Sequence, residues 1–167
     1  SHLDYQNFER AEYWYVKRVE ASGWDEEVYV SLLRIAYCKQ KLHKPVPEIL
    51  DTLFKATLIM PKRVEGYFEL ARIFRLAGLY REAYEYAKIG SIMPHNPHSL
   101  FSIKLLTDFA IKDELALAAF HMGYYKEALE ITNYLVELDY PDAKEHMSRL
   151  RQNQVLFKRK VVENNNT

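Results

Sequence analysis

Two nearly identical six-residue segments constrain this chain more than any other feature. Residues 78–83 read Gly-Leu-Tyr-Arg-Glu-Ala, and residues 123–128 read Gly-Tyr-Tyr-Lys-Glu-Ala. Such internal repetition indicates a stack of similar helical units, because neighbouring units must bury each other's apolar faces. Only 5 glycines and 6 prolines occur among the 167 residues, too few for the many turns of a sandwich or barrel. The sequence therefore predicts an all-α fold.

The repeated unit places small residues where two helices touch, aromatic wedges between helices, glycine at the turn and proline at the end. Its clearest copy is Tyr67, Leu70, Ala71, Phe74, Gly78, Tyr80, Ala83, Ala87, Gly90 and Pro94. A second copy is Leu115, Ala116, Ala119, Gly123, Tyr125, Ala128, Leu135 and Pro141. A weaker copy is Leu32, Ile35, Ala36, Ile49, Leu53, Ala56 and Pro61, with His43 where the turn glycine is expected. The pattern resembles the tetratricopeptide repeat (TPR), which implies a right-handed superhelix of antiparallel helix pairs.

The repeat pattern predicts a TPR-like domain of about seven or eight helices over residues 3–157. Its parts are a half repeat at 3–22, repeats at about 24–61, 63–94 and 105–141, and a C-terminal capping helix at 142–157 with Asp142 as its cap. Ala71 and Ala116 are 45 residues apart, about 11 more than a usual repeat of about 34, so we expect an irregular insertion near 93–104. Residues 1–2 resemble a tag scar, and residues 158–167 are expected to be disordered. Because the half repeat lacks its first helix, we expect the chain to be part of a longer protein.

Charge and cysteine content exclude several classes of partner. The 23 Lys and Arg residues balance 23 Asp and Glu residues, so no net basic field attracts nucleic acid or anionic lipid. The longest uncharged run, 89–103, contains Pro94 and Pro97 and predicts no membrane span. The single cysteine, Cys38, lies in an apolar run and cannot form an internal disulfide. We therefore expect it to pack inside the fold, in a reducing, cytoplasmic compartment.

A TPR array uses the first helix of each pair to line a groove that binds proteins or peptides. Applied to this chain, that pattern assigns eight partner-binding residues: Leu33, Tyr37, Lys41, Phe68, Arg72, Arg75, Phe120 and His121. The same face includes Gln40, Glu65, Leu76, Asp113 and Leu117. Tyr, Phe and Arg are common interface anchors, although each aromatic residue could instead pack against a neighbouring repeat. The TPR subclass that clamps a C-terminal carboxylate has Lys and Asn where this chain has Leu33 and Tyr37, so we do not expect that ligand.

No motif in the sequence predicts chemistry, so we expect no catalytic residues, metal ligands or cofactor in this chain. His95 and His98 form the only close histidine pair, without a third ligand for a metal. The acidic runs at 25–27 and 113–114 open predicted helices, where carboxylates favour the positive end of the helix dipole. His121 is expected to be an ordinary groove or surface residue and not a general base.

Several segments resemble the helical-repeat region that follows the catalytic domain in some glycosyltransferases. They include residues 23–27 (Gly-Trp-Asp-Glu-Glu), 69–71 (Glu-Leu-Ala), 113–116 (Asp-Glu-Leu-Ala) and 123–129 (Gly-Tyr-Tyr-Lys-Glu-Ala-Leu). The resemblance covers about residues 5–155, and it departs at Thr107 and Phe109, where Tyr and Trp are expected. It implies a non-catalytic accessory scaffold that positions an acceptor or mediates self-association.

Two kinds of function therefore remain open at the level of sequence. In the first, the partners are the chain's own upstream catalytic domain and, through the half repeat, a second copy in a homodimer. In the second, the chain is a free-standing TPR adaptor that binds a peptide or helix of a partner protein in its groove.

Overall fold

The computed structural model describes residues 2–21, 23–99 and 102–165, and every regular element in these ranges is helical. The α-helices are α1 (His2–Ala21), α2 (Asp25–Lys41), α3 (Val46–Ile59), α4 (Val64–Leu76), α5 (Tyr80–Ser91), α6 (Ile111–His121), α7 (Tyr125–Leu138) and α8 (Met147–Asn165). A π-helical stretch, Leu106–Ala110, precedes α6, and a 3-10 helix, Pro141–His146, precedes α8. The predicted all-α class is confirmed.

Each helix packs against the next one along the chain, and α4 also contacts α6. Small residues permit this close packing, and Ala83, Ala87 and Ala128 are fully buried. A β-carbon on Gly90 would lie 2.8 Å from Cδ1 of Ile111 and 2.9 Å from Cβ of Tyr67. Helix α5 can therefore approach both α4 and α6 only because this residue is glycine. Such consecutive packing is typical of helical repeats.

The same backbone turn ends α2, α4 and α6. Gly78 and Gly123 adopt φ angles of 76° and 80°, and His43 adopts the left-handed conformation with a φ of 52°. An N–H···O bond of 2.9 Å closes each turn, from Lys44 to Lys39, from Leu79 to Phe74 and from Tyr124 to Ala119. This is the Schellman arrangement at a helix C-terminus. His43 thus occupies the conformation of the turn glycine that it replaces.

An irregular segment connects α5 to the helical turn before α6. Residues 92–99 and 102–103 form no helix, and we refer to residues 92–103 as the insertion. Ser1, Ser22, residues 100–101 and residues 166–167 lie outside the described residues. They belong to the predicted tag scar, half repeat, insertion and tail, respectively.

The C-terminal segment differs from the prediction at both ends. Asp142 lies inside the 3-10 helix and does not cap an α-helix, because the chain is kinked at Ala143 (φ −120°) and α8 begins only at Met147. At the other end, α8 continues to Asn165, although disorder was predicted from residue 158. These last turns contain no glycine or proline, and Glu163 lies 3.4 Å from the ammonium of Lys160. Spaced ion pairs of this kind favour the helical state.

Candidate functional site

Helices α2 and α4 and the insertion enclose a cleft of about 190 Å³. We call it the α2–α4 cleft. Its apolar walls are Val30 and Leu33 of α2, Phe68 of α4, Ile103 of the insertion and Leu106 of the π-helical stretch. The insertion therefore forms part of the cleft wall, together with α2 and α4.

Three of the eight predicted partner-binding residues line this cleft, namely Leu33, Tyr37 and Phe68. The Tyr37 side chain is 47% exposed. The ring of Phe8 from α1 meets it edge-on at 6.0 Å, and the ammonium of Lys41 lies 5.3 Å from its ring centroid. Tyr37 is thus supported on two sides and still open to a partner, while Lys41 lies beside the cleft without lining it.

Arg72 lies at the edge of the cleft and joins its two helical walls. Its guanidinium donates one hydrogen bond to the Gln40 side chain of α2 and another, of 2.7 Å, to the carboxylate of Glu69. Gln40 and Glu69 both line the cleft. Arg72 therefore does not line the cleft itself, and its hydrogen bonds orient two residues that do.

The other three predicted residues lie away from the cleft and connect helices to one another. Arg75 donates hydrogen bonds of 2.6 and 2.9 Å to the two carboxylate oxygens of Glu114. Phe120 stacks on Phe157 of α8 with 4.6 Å between ring centroids. His121 stacks on Tyr80 at 4.1 Å. The residues chosen by the TPR pattern therefore do not all meet at one site.

Burial and the nearby charge of Arg75 both lower the pKa of the His121 imidazole. The stacked ring is therefore held in its neutral form over a wider pH range than a free histidine. This favours an aromatic packing role for His121.

A buried cluster of charges lies at the base of the cleft. Arg63 is only 7% exposed, and its guanidinium donates hydrogen bonds to Glu65 at 2.6 Å and to Glu26 of α2 at 3.1 Å. The hydroxyl of Tyr29 donates to Glu65 at 3.2 Å and accepts from the backbone N–H of Gly66 at 3.0 Å. Burial, together with the charge of Glu65, raises the pKa of Tyr29 above its usual range. The cluster fixes the start of α4 against α2.

Sequence reasoning missed these ion pairs because it assigned the acidic runs at 25–27 and 113–114 to helix dipoles alone. In the structure, adjacent acids bind arginines of different elements. Glu27 pairs with Arg18 of α1 at 2.6 Å, whereas the neighbouring Glu26 pairs with Arg63. Asp113 binds Arg149 of α8 at 2.5 Å, whereas Glu114 binds Arg75 of α4. Adjacent acids beside a turn are a weak signal for such pairs, because their partners are far away in the sequence.

Among the described residues, no group of three or more His, Cys, Asp or Glu side chains is arranged to hold a metal ion. His95 Nδ1 instead lies 3.1 Å from the hydroxyl of Ser102. Cys38 is buried, and burial raises the pKa of its thiol. None of the helices in the described part of the chain has both the length and the hydropathy to cross a bilayer.

The sequence matches no protein-family model, and no curated protein matches it significantly.

Proposed function

We propose that this chain is a non-catalytic, TPR-like interaction scaffold that binds a short segment of a partner protein in the α2–α4 cleft. One observation carries the proposal. Leu33 and Tyr37 of α2 and Phe68 of α4, which the repeat pattern assigns to partner binding, line the same cleft, and Tyr37 is half exposed there. A partly exposed aromatic ring that is held in place by its neighbours is a typical anchor for a bound peptide.

The size of the cleft favours side chains over a free small molecule as its occupant. Its volume of about 190 Å³ is below the roughly 300–1,000 Å³ of typical small-molecule sites. A segment that inserts an apolar side chain between Leu33, Phe68 and Leu106 would bury apolar surface on both partners. The cleft therefore suits one or two side chains of a protein segment.

Arg34 supports a further assignment, that the bound segment carries a carboxylate. Its side chain lines the cleft and is exposed, and it makes no ion pair or hydrogen bond with any residue that the structure describes. By contrast, the other cleft arginine, Arg63, is already bound to Glu65 and Glu26. An acidic residue next to the inserted apolar side chain would complement the charge of Arg34.

Selection of peptides from a random display library, followed by calorimetry on the peptides recovered, tests this function. We expect the selected peptides to combine apolar and acidic residues. The double variant Tyr37→Ala with Arg34→Glu should bind them at least about tenfold more weakly, because truncation of a hot-spot anchor costs about 2 kcal/mol or more and about 1.4 kcal/mol is a factor of ten. Leu58→Ala, at a residue 81% exposed on α3, is the matched control and should bind normally. Equal binding by the double variant would contradict the proposal.

We further propose that the scaffold is the accessory region of a larger glycosyltransferase in the reducing cytoplasm, where it positions an acceptor or mediates self-association. The support is the sequence resemblance and the single, buried Cys38. Two of the resembling segments, 23–27 and 113–116, supply carboxylates to the ion pairs between helices. The resemblance therefore concerns the architecture of the scaffold.

The free-standing adaptor is the alternative, and it would use the same cleft. The two possibilities differ in the length of the native polypeptide. An antibody raised against this chain would capture that polypeptide, and its intact mass would separate them. A mass far above 19.8 kDa supports the accessory region, whereas a mass close to this value supports the adaptor.

A further inference from the structure

A buried hydroxyl lies where the insertion meets the start of α4 and the turn before α6. Thr107, in the π-helical stretch Leu106–Ala110, is 9% exposed. Its Oγ1 atom has no hydrogen-bond partner among the residues that the structure describes. Buried hydroxyls nearly always have such a partner, because removing one from water without compensation is unfavourable. We therefore expect this atom to bind a ligand that can form a hydrogen bond.

Thr107 lines a cavity of about 20 Å³ between the insertion and the first residues of α4. The polar residues that also line the cavity are Lys62, Arg63, Glu65, His95, Asn96, Ser99 and Ser102. A bound water needs about 10–15 Å³ and two to four polar partners. The cavity is large enough for one water molecule, and its walls supply polar partners for it.

We propose that this cavity binds a single internal water molecule, which joins the Thr107 hydroxyl to the polar side chains of the insertion and of the start of α4. Ser102 is one candidate partner in the insertion, because it lines the cavity and its hydroxyl is positioned by His95 at 3.1 Å. The Arg63–Glu65 pair lines both this cavity and the α2–α4 cleft. The pair therefore separates the water site from the cleft.

The water fixes one wall of the cleft. Ile103 follows Ser102 directly, Leu106 directly precedes Thr107, and both Ile103 and Leu106 line the cleft. The connection between them includes a hydrogen bond of 3.0 Å from the Leu106 N–H to the Ile103 carbonyl. Thr107 is thus a positioning residue for the insertion, and the water site exists whether or not the cleft binds a partner.

The variant Thr107→Val tests the proposal, since it removes the hydroxyl while nearly keeping the shape of the side chain. Thr132→Val is the matched control. Thr132 is also buried, but its hydroxyl donates to the carbonyl of Ala128 in its own helix at 2.8 Å. Thr107→Ser keeps a hydroxyl and should keep the water. Oxygen-17 magnetic relaxation dispersion counts long-lived internal waters in each folded variant.

We expect Thr107→Val to have one long-lived water fewer than the wild type, and Thr132→Val and Thr107→Ser to have the same number. The Leu106 amide should exchange its hydrogen about tenfold faster in Thr107→Val, as expected when one hydrogen-bonded connection is lost. An unchanged water count in folded Thr107→Val would overturn the proposal. If that variant does not fold, high-resolution diffraction from the wild-type protein decides, because a cavity without water density would equally overturn it.

Discussion

The α4–α5 and α6–α7 helix pairs are alike where their two helices meet and different where they contact the rest of the molecule. Gly78 and Gly123 share one turn conformation, and Ala83 and Ala128 are both fully buried. However, the residue 45 positions after Gly90 is Leu135. Gly90 lets α5 approach Tyr67 and Ile111 closely, whereas Leu135 fills a cluster with Phe109, Met147 and Leu150. The repeat thus preserves the contact within a pair and adapts the contact with the next element.

Truncation of Leu135 should lower the free energy of unfolding more than the substitutions at Gly90 and at the turn glycines. The side chain is fully buried among residues of α8 and the π-helical stretch, so Leu135→Ala leaves a cavity and should lower the free energy of unfolding by about 2–5 kcal/mol. Urea denaturation measures the change. A loss below about 1 kcal/mol would show that α8 does not pack on α7 as described.

The opposite change at the matching position should have a smaller effect. Gly90→Ala adds a methyl group less than 3 Å from Ile111 and Tyr67, and such overpacking should cost about 1–3 kcal/mol. Gly23→Ala is the control, because a β-carbon there has no neighbour within 4 Å. It should change the free energy of unfolding by less than about 0.5 kcal/mol. Similar values for the two variants would rule out the close approach of α5.

Alanine should destabilise the protein equally at the two turn glycines, because both have the same left-handed conformation. Gly78→Ala and Gly123→Ala each force a β-carbon into the left-handed region and should cost about 1–2 kcal/mol. His43 already has this conformation (φ 52°), so His43→Gly should stabilise the protein, by less than that because glycine also gains entropy in the unfolded chain. Thermal and urea unfolding measure all three variants. Destabilisation by His43→Gly would mean that its side chain has contacts that outweigh the strain.

The pH dependence of stability should differ only slightly between the two helix pairs, through His121 of α6. His121 is the counterpart of Leu76, 45 residues earlier, and its pKa is lowered by burial and by Arg75. Because the folded state disfavours the protonated ring, this contribution to stability is complete above the unfolded pKa of about 6.5 and decreases as the pH falls through the lower folded pKa. His121→Leu, which copies Leu76, should therefore lose less stability than the wild type between neutral and mildly acidic pH. Parallel pH profiles for the two proteins would contradict this assignment.

The sequence predicted the contacts that recur in each helix pair. It did not predict the contacts that occur only once, such as those of the insertion. The turns at Gly78 and Gly123 follow from local residue types, and three residues chosen by helical phase, Leu33, Tyr37 and Phe68, line the same cleft. The position of the insertion against the cleft could not be predicted, because no periodicity relates Ile103 to α2.

The pairing of Arg75 with Glu114 was missed for a similar reason. Helical phase shows which way a side chain faces, and it does not show which charge on another helix meets that side chain. The same limit applies to Arg63 and Glu26, which are 37 positions apart in the sequence.

The ion pairs at Glu26–Arg63 and Glu114–Arg75 each skip a helix, since they tie α2 to the start of α4 and α6 to the end of α4. In a stack of repeats, unfolding can begin at one end and proceed one helix pair at a time. The two ion pairs join the α4–α5 pair to the helix pair on each side of it, and they oppose this stepwise loss because losing one helix pair also removes an ion-pair partner from the next. The middle of the molecule should therefore melt as one cooperative block, and the two helical walls of the cleft should keep their spacing until that block unfolds.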